Sequence, residues 1–229
     1  MAFGARYPDT GTLPDVLPIF PLPGAMLLPG GQLPLNIFEP RYLNMTLDAM
    51  GQGRLIGMVQ PKPAPGEDLP RDPDLREAPD VFSVGCMGRI VSFAETGDGR
   101  LMITLLGQSR FRIAEEISLE NGYRRVRPDF SAFAADEDAD GPVVMDRPRL
   151  LQAASRFFDA QGMKADWQSI EDAPDGLLVT SLSMVCPFDL REKQALLESE
   201  SQETRASLLT ELLEMAALGP TDTPGGTAH

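Results

Sequence analysis

The chain has 229 residues, 42% hydrophobic and 24% charged, enough for the core of one large or two small domains. No run approaches the ~18 apolar residues that span a bilayer, and MAFGARYPDT shows no apolar stretch of a secretory signal, so the expected location is cytoplasmic. The net charge of −14 falls mostly on residues 134–229, with 7 basic against 18 acidic side chains, and such a chain repels nucleic acid.

After an extension at 1–15, residues 16–133 read as β-rich, and the 21 prolines and 21 glycines predict many turns. Val16–Phe20 and Ala25–Leu28 are short apolar runs, and Pro29-Gly30-Gly31 forces a turn. Leu33, Leu35 and Ile37 then alternate with Gln32, Pro34 and Asn36, the period of a strand with one buried face. Pro34 has no N–H for a ladder, which predicts an edge strand. Pro40 suits a helix first turn, with Glu39 placing negative charge at its start. Leu43, Leu47 and Met50 would share a face of that helix, with Tyr42 beside them.

Leu55–Gln60 reads as a strand, and 60–80, with six prolines, as a long loop. Val81–Phe93 is strand-like, with Gly85 and Gly88 marking a bend or close backbone approach. A turn at Glu95–Arg100 leads into Leu101–Leu106; Ser109–Ile113 follows Gly107, and Tyr123–Phe133 is the last strand. Short strands joined by tight turns predict an antiparallel, closed or nearly closed sheet.

Residues 134–145 read as an acidic linker, after which the apolar period changes to 3.6. Within 146–217, Asp146 caps one helix that Gly162 ends. Leu177, Leu178, Leu182 and Val185 make a second, and Asp189-x-x-Glu192 opens a third. Ser199-x-x-Gln202 opens the last, with Arg205, Leu208, Leu209, Leu212 and Leu213 as its stripe. Residues 218–229 form an expected disordered tail.

The strings LPIFPLPG…LLPGGQLPLNIFEPRYLNM, GRI with the later RFRI, and PFDLREKQALLESESQETRASLL carry a resemblance. Together they resemble the amino-terminal, substrate-binding domain of Lon proteases, over roughly Val16–Met215. Asn36 stands where many relatives carry histidine. The resemblance implies an α+β fold: a PUA-like pseudo-barrel with one internal helix, followed by a C-terminal helical subdomain. Its motif residues Phe38, Glu39, Pro40, Arg41, Tyr42, Arg110 and Phe111 are expected to be structural, because turn chemistry accounts for the strand–turn–helix. On a strand, Arg110 and Arg112 would share the solvent face while Phe111 goes inward.

Chemistry is sparse. The single histidine is His229, and Cys86 and Cys186 read as buried thiols, so neither a His-based catalytic site nor a zinc site is predicted. No lysine follows a glycine, hence no P-loop. Lys193 beside Glu192 reads as a solvated helix residue, and Glu115-Glu116 and Asp136–Asp138 as solvated charges. The reading is a non-enzyme without cofactor or metal, and the resemblance implies that it binds unfolded or client polypeptides as holdase or adaptor, working with a protease or chaperone. Such a site needs an exposed apolar patch or a free strand edge. Met26, Leu27, Leu28 and Pro29, consecutive large apolar residues entering a turn, are the candidate patch. The alternatives are a small-molecule or RNA-binding module, for which Arg124, Arg125 and Arg127 are the basic cluster, and an enzyme with an unrecognised site.

Overall fold

The computed structural model describes residues 13–63, 79–138 and 143–218. Residues 1–12, 64–78, 139–142 and 219–229, on which parts of the expected extension, long loop, linker and tail fall, lie outside them. Among the described residues six strands form one sheet: β1 Leu17–Pro21, β2 Gln32–Ile37, β3 Leu55–Val59, β4 Val84–Glu95, β5 Leu101–Glu120 and β6 Tyr123–Asp129. Their order is β2–β5–β4–β3–β1–β6, and β6 also pairs with β5. The pairings therefore run from β5 through β4, β3, β1 and β6 back to β5, while β2 stays outside the circuit, bonded to β5 alone among the described residues.

The strand β5 makes this possible by its length. Its first part pairs with β2, from Leu101 opposite Ile37 to Leu106 opposite Gln32. Its second part pairs with β6, from Arg112 opposite Asp129 to Glu120 opposite Tyr123. The expected break at Gly107 is absent; the strand runs through it. Glycine is needed there because a Cβ would lie 2.0 Å from the Leu28 carbonyl oxygen. Not every pairing is antiparallel as expected: β1 and β3 are parallel, Ile19 opposite Gly57. They are joined through β2 and the helix α1 (Pro40–Gly51), a crossover long enough to bring β3 back alongside β1 in the same sense.

In α1 the buried face is Tyr42, Met45, Thr46 and Ala49, not the expected Leu43–Leu47–Met50 face, and Leu47 is exposed. Two local interactions set this rotation. The Tyr42 ring packs 4.1 Å from that of Phe20, and the Thr46 hydroxyl donates to the Tyr42 carbonyl at 2.8 Å, so a polar residue can face the core without an orphaned group. Glu39 does not cap the helix with its side chain; it pairs with Arg41 at 2.7 Å.

The last strand stops at Asp129, and Ser131–Asp138 is a kinked 3-10 segment rather than the opening of a linker. Among the described residues five helices follow: α2 Arg147–Ala160, α3 Trp167–Asp172, α4 Asp175–Val185, α5 Leu190–Glu198 and α6 Gln202–Ala217. Asp146 caps α2 by accepting from the Arg149 N–H. Asp189 and Glu192 close a reciprocal capping box on α5. Ser201, not Ser199, caps α6. The short α3, capped by Asp166, was not anticipated. One apolar cluster runs from the sheet (Leu105) and the 26–28 segment (Leu27, Leu28) into the helices (Phe157, Leu196, Leu209), so the two parts share a core. A smaller cluster surrounds Phe111 with Leu17, Ile19, Val59, Met87 and Val126.

Candidate functional site

The predicted patch is not at the surface. Met26, Leu27 and Leu28 are buried, with Leu28 at 0% exposure, and only Pro29 is half-exposed. The expectation of an exposed apolar turn is corrected, and the reason lies in two glycines. A Cβ on Gly88 would meet the Leu27 side chain at 2.6 Å, and one on Gly107 would meet the Leu28 backbone. Their bare backbones in β4 and β5 open a slot in which the 26–28 segment lies against the sheet. The close approach read at Gly88 was the signal.

Arg110 is likewise not on the solvent face with the exposed Arg112, although Phe111 does turn inward. Arg110 is 3% exposed, because α5 and the 3-10 segment cover this part of β5. Its Nη2 donates to Asp136 Oδ1 at 2.7 Å and its Nε to Oδ2 at 3.0 Å. Its backbone N–H reaches the same carboxylate at 2.8 Å. Nη1 donates to the carbonyls of Leu197 and Ser199, and the guanidinium sits 4.6 Å from the Phe133 ring centre. Asp136 is therefore a buried partner, not the solvated linker charge expected from its acidic neighbours.

Around this pair runs a polar seam between sheet and helices. Arg205 donates through Nε to the Leu196 carbonyl at 2.8 Å, while its Nη2 has no partner among the described residues. Burial, reinforced by the nearby Arg110 charge, pulls its pKa down to about 10. Gln60 on the β3 end donates to Gln194 at 3.0 Å, and Gln194 to the Val84 carbonyl at 3.2 Å. Lys193 is not a solvated side chain: it is buried along its stem and donates to the Gly24 carbonyl at 2.7 Å, with burial lowering its pKa. Burial also pushes the Cys186 thiol up to about 12 and the Cys86 thiol higher still, as befits unreactive interior sulfur. These groups hold two parts of the molecule together.

The sheet's other border is different. Gln32, Pro34, Asn36 and Phe38 are exposed along β2 and just past it. Across the register Asn36 faces Met102 on β5, and Met102 faces Ala94 on β4. Phe38 is 60% exposed and Met102 43%. Arg100, itself paired with Asp98 at 3.0 Å, lies 5.7 Å from the Phe38 ring centre. The result is an outward face uncharged from Pro34 to Met102, ending in one aromatic ring with the Arg100 guanidinium beside it, along a strand edge that no described strand covers. The alternation in β2 pointed to this edge, whereas the expectation for Phe38 was structural. The alternation of Leu101–Leu106, which turns Met102 outward, was the available signal for the face.

The basic cluster is neutralised on its own surface. Arg124 pairs with Glu116 at 2.6 Å, Arg125 with Glu120, and Arg127 with Glu115 at 3.2 Å. No group of three or more His, Cys, Asp or Glu able to hold a metal ion occurs among the described residues. No described helix is long and apolar enough to cross a membrane.

Comparison with known proteins gives a consistent result. The profile of the ATP-dependent protease La (LON) substrate-binding domain matches residues 16–215. Lon protease 2 of Myxococcus xanthus is 27% identical over 214 residues, covering 88% of this chain and 24% of the relative. Lon protease of Anaeromyxobacter dehalogenans is 25% identical over 203 residues, 88% of this chain and 23% of the relative. The chain thus spans about a quarter of the length of these curated relatives. Among solved structures, a Lon N-terminal domain protein from Xanthomonas campestris superposes with a TM-score of 0.56 at 23% identity, covering 86% of this chain and 97% of that one. The N-terminal domain of the Mycobacterium avium complex Lon protease does so with a TM-score of 0.56 at 12% identity, with the same coverage of both chains.

Proposed function

Because the chain belongs to the family of Lon substrate-binding domains, we propose that it is a polypeptide-recognition module without chemistry of its own, binding exposed apolar segments of unfolded or client proteins. The observation that carries this reading is the profile match across residues 16–215, nearly the whole described chain. It acts as a holdase, or as an adaptor that presents clients to a protease or chaperone in the cytoplasm. The circuit of strand pairings supports a PUA-like pseudo-barrel as its framework. The outward face with Phe38 and Met102 suits apolar clients, since the charge nearest to it, Arg100, is already paired with Asp98.

The test is suppression of aggregation of a chemically unfolded client by the purified chain at several-fold excess. Suppression is expected, and it should fall in the Phe38→Ser/Met102→Ser double variant while that variant stays folded by circular dichroism. An unsuppressed client overturns the reading; suppression that survives the double variant moves the site off this face.

A further inference from the structure

The border of β2 that no described strand covers has a defined hydrogen-bonding pattern. Gly107 donates its N–H to the Gly31 carbonyl at 2.8 Å, one step beyond the Gln32–Leu106 pair. Bonded and unbonded pairs alternate in an antiparallel ladder. Leu33, Leu35 and Ile37 therefore exchange bonds with Leu105, Ile103 and Leu101, and Gln32, Pro34 and Asn36 turn their backbone groups outward. This edge offers three carbonyl acceptors but only two N–H donors, at Gln32 and Asn36, because Pro34 has none.

Building on the polypeptide-recognition reading, we infer that this edge takes up an extended client segment as an added strand, bonded at Gln32 and Asn36 and straddling Pro34. Backbone pairing suits a recognition module because it ignores client sequence. Side-chain selection then comes from the adjoining outward face. Pro34, Asn36, Ala94, Met102 and Thr104 carry no formal charge, and the Arg100 guanidinium lies beside Phe38, so client residues turned to that side are uncharged along Pro34–Asn36 and not basic next to Phe38. The missing donor at Pro34 keeps the attachment short and releasable. It also disfavours pairing of β2 with a second copy of itself, the hazard that an open edge presents.

The experiment measures binding of the full chain to a fluorescent peptide of alternating valine and threonine closed by lysines, and to the same peptide methylated at every backbone nitrogen. Strand addition predicts that methylation abolishes binding. Pro34→Ala, which restores a donor, should tighten the parent peptide by about three- to tenfold, and Asn36→Pro, which removes one, should weaken it by a similar factor. Equal binding of the methylated and parent peptides, or affinities unmoved in both variants, would overturn strand addition while leaving client binding in place. A dimer formed by Pro34→Ala without tighter peptide binding would likewise overturn it, assigning the edge to self-pairing. Failure of the unmodified chain to bind either the peptide or an unfolded client would instead remove the recognition reading itself. Should Asn36→Pro fail to fold, the Pro34→Ala and methylation results decide alone.

Discussion

The two borders of the sheet are finished in opposite ways. Where the sheet meets α5, its polar groups are largely paired inside the protein: Arg110 with Asp136 and two carbonyls, Gln60 with Gln194, Lys193 with Gly24. Where it ends at β2, backbone groups face outward and the neighbouring side chains are uncharged apart from Arg100, which is paired with Asp98. A buried charge is expensive to orphan, so the first border is locked. The second has nothing to lose on exposure, which leaves it free to meet a partner. On the function proposed above, recognition falls to the border with spare backbone bonds, whereas the Arg110–Asp136 pair is a fastener.

The sharpest attempt to break this contrast is Asp136→Ala. It strands Arg110 inside the protein, and urea unfolding should show a loss of about 3–5 kcal/mol. A loss below about 0.5 kcal/mol, the size of an ordinary surface change, would mean that the seam is not a lock. Leu209→Ala, in the shared core at 0% exposure, should cost about 2–5 kcal/mol. Asp189→Ala removes half of the α5 capping box and should cost about 1 kcal/mol, with the sheet's contribution to the circular dichroism spectrum unchanged. Phe38→Ser, at the open border, should leave stability within about 0.5 kcal/mol while reducing client binding. A large stability loss there would make the ring a packing element and erase the distinction between the borders.

What could be read directly from the chain was what neighbouring residues decide. The alternation of Leu33, Leu35 and Ile37 with Pro34 between them specified an edge strand, and Asp146 and Asp189 marked the starts of α2 and α5. The errors share one physical cause: the deciding partner is remote. Arg110 is buried by Asp136, 26 residues on, and by Leu197, 87 residues on. Lys193 is drawn in by Gly24, 169 residues away. Leu27 and Leu28 vanish into space left by Gly88 and Gly107. No local period reports such partners. The α1 face was misjudged for a related reason, since leucine count predicted one face while the Phe20–Tyr42 ring contact selected another.

The two thiols give the molecule a pair of internal clocks. Cys86 lies in β4 and Cys186 at the end of α4, both shielded and both reluctant to ionise, so an alkylating reagent must wait for each neighbourhood to open. Their labelling rates under native conditions count openings of the sheet and of the helices separately. Matching rates mean that the seam makes one cooperative unit of the two. A faster Cys186 means that the helices lift away first, with β4 still closed beneath them.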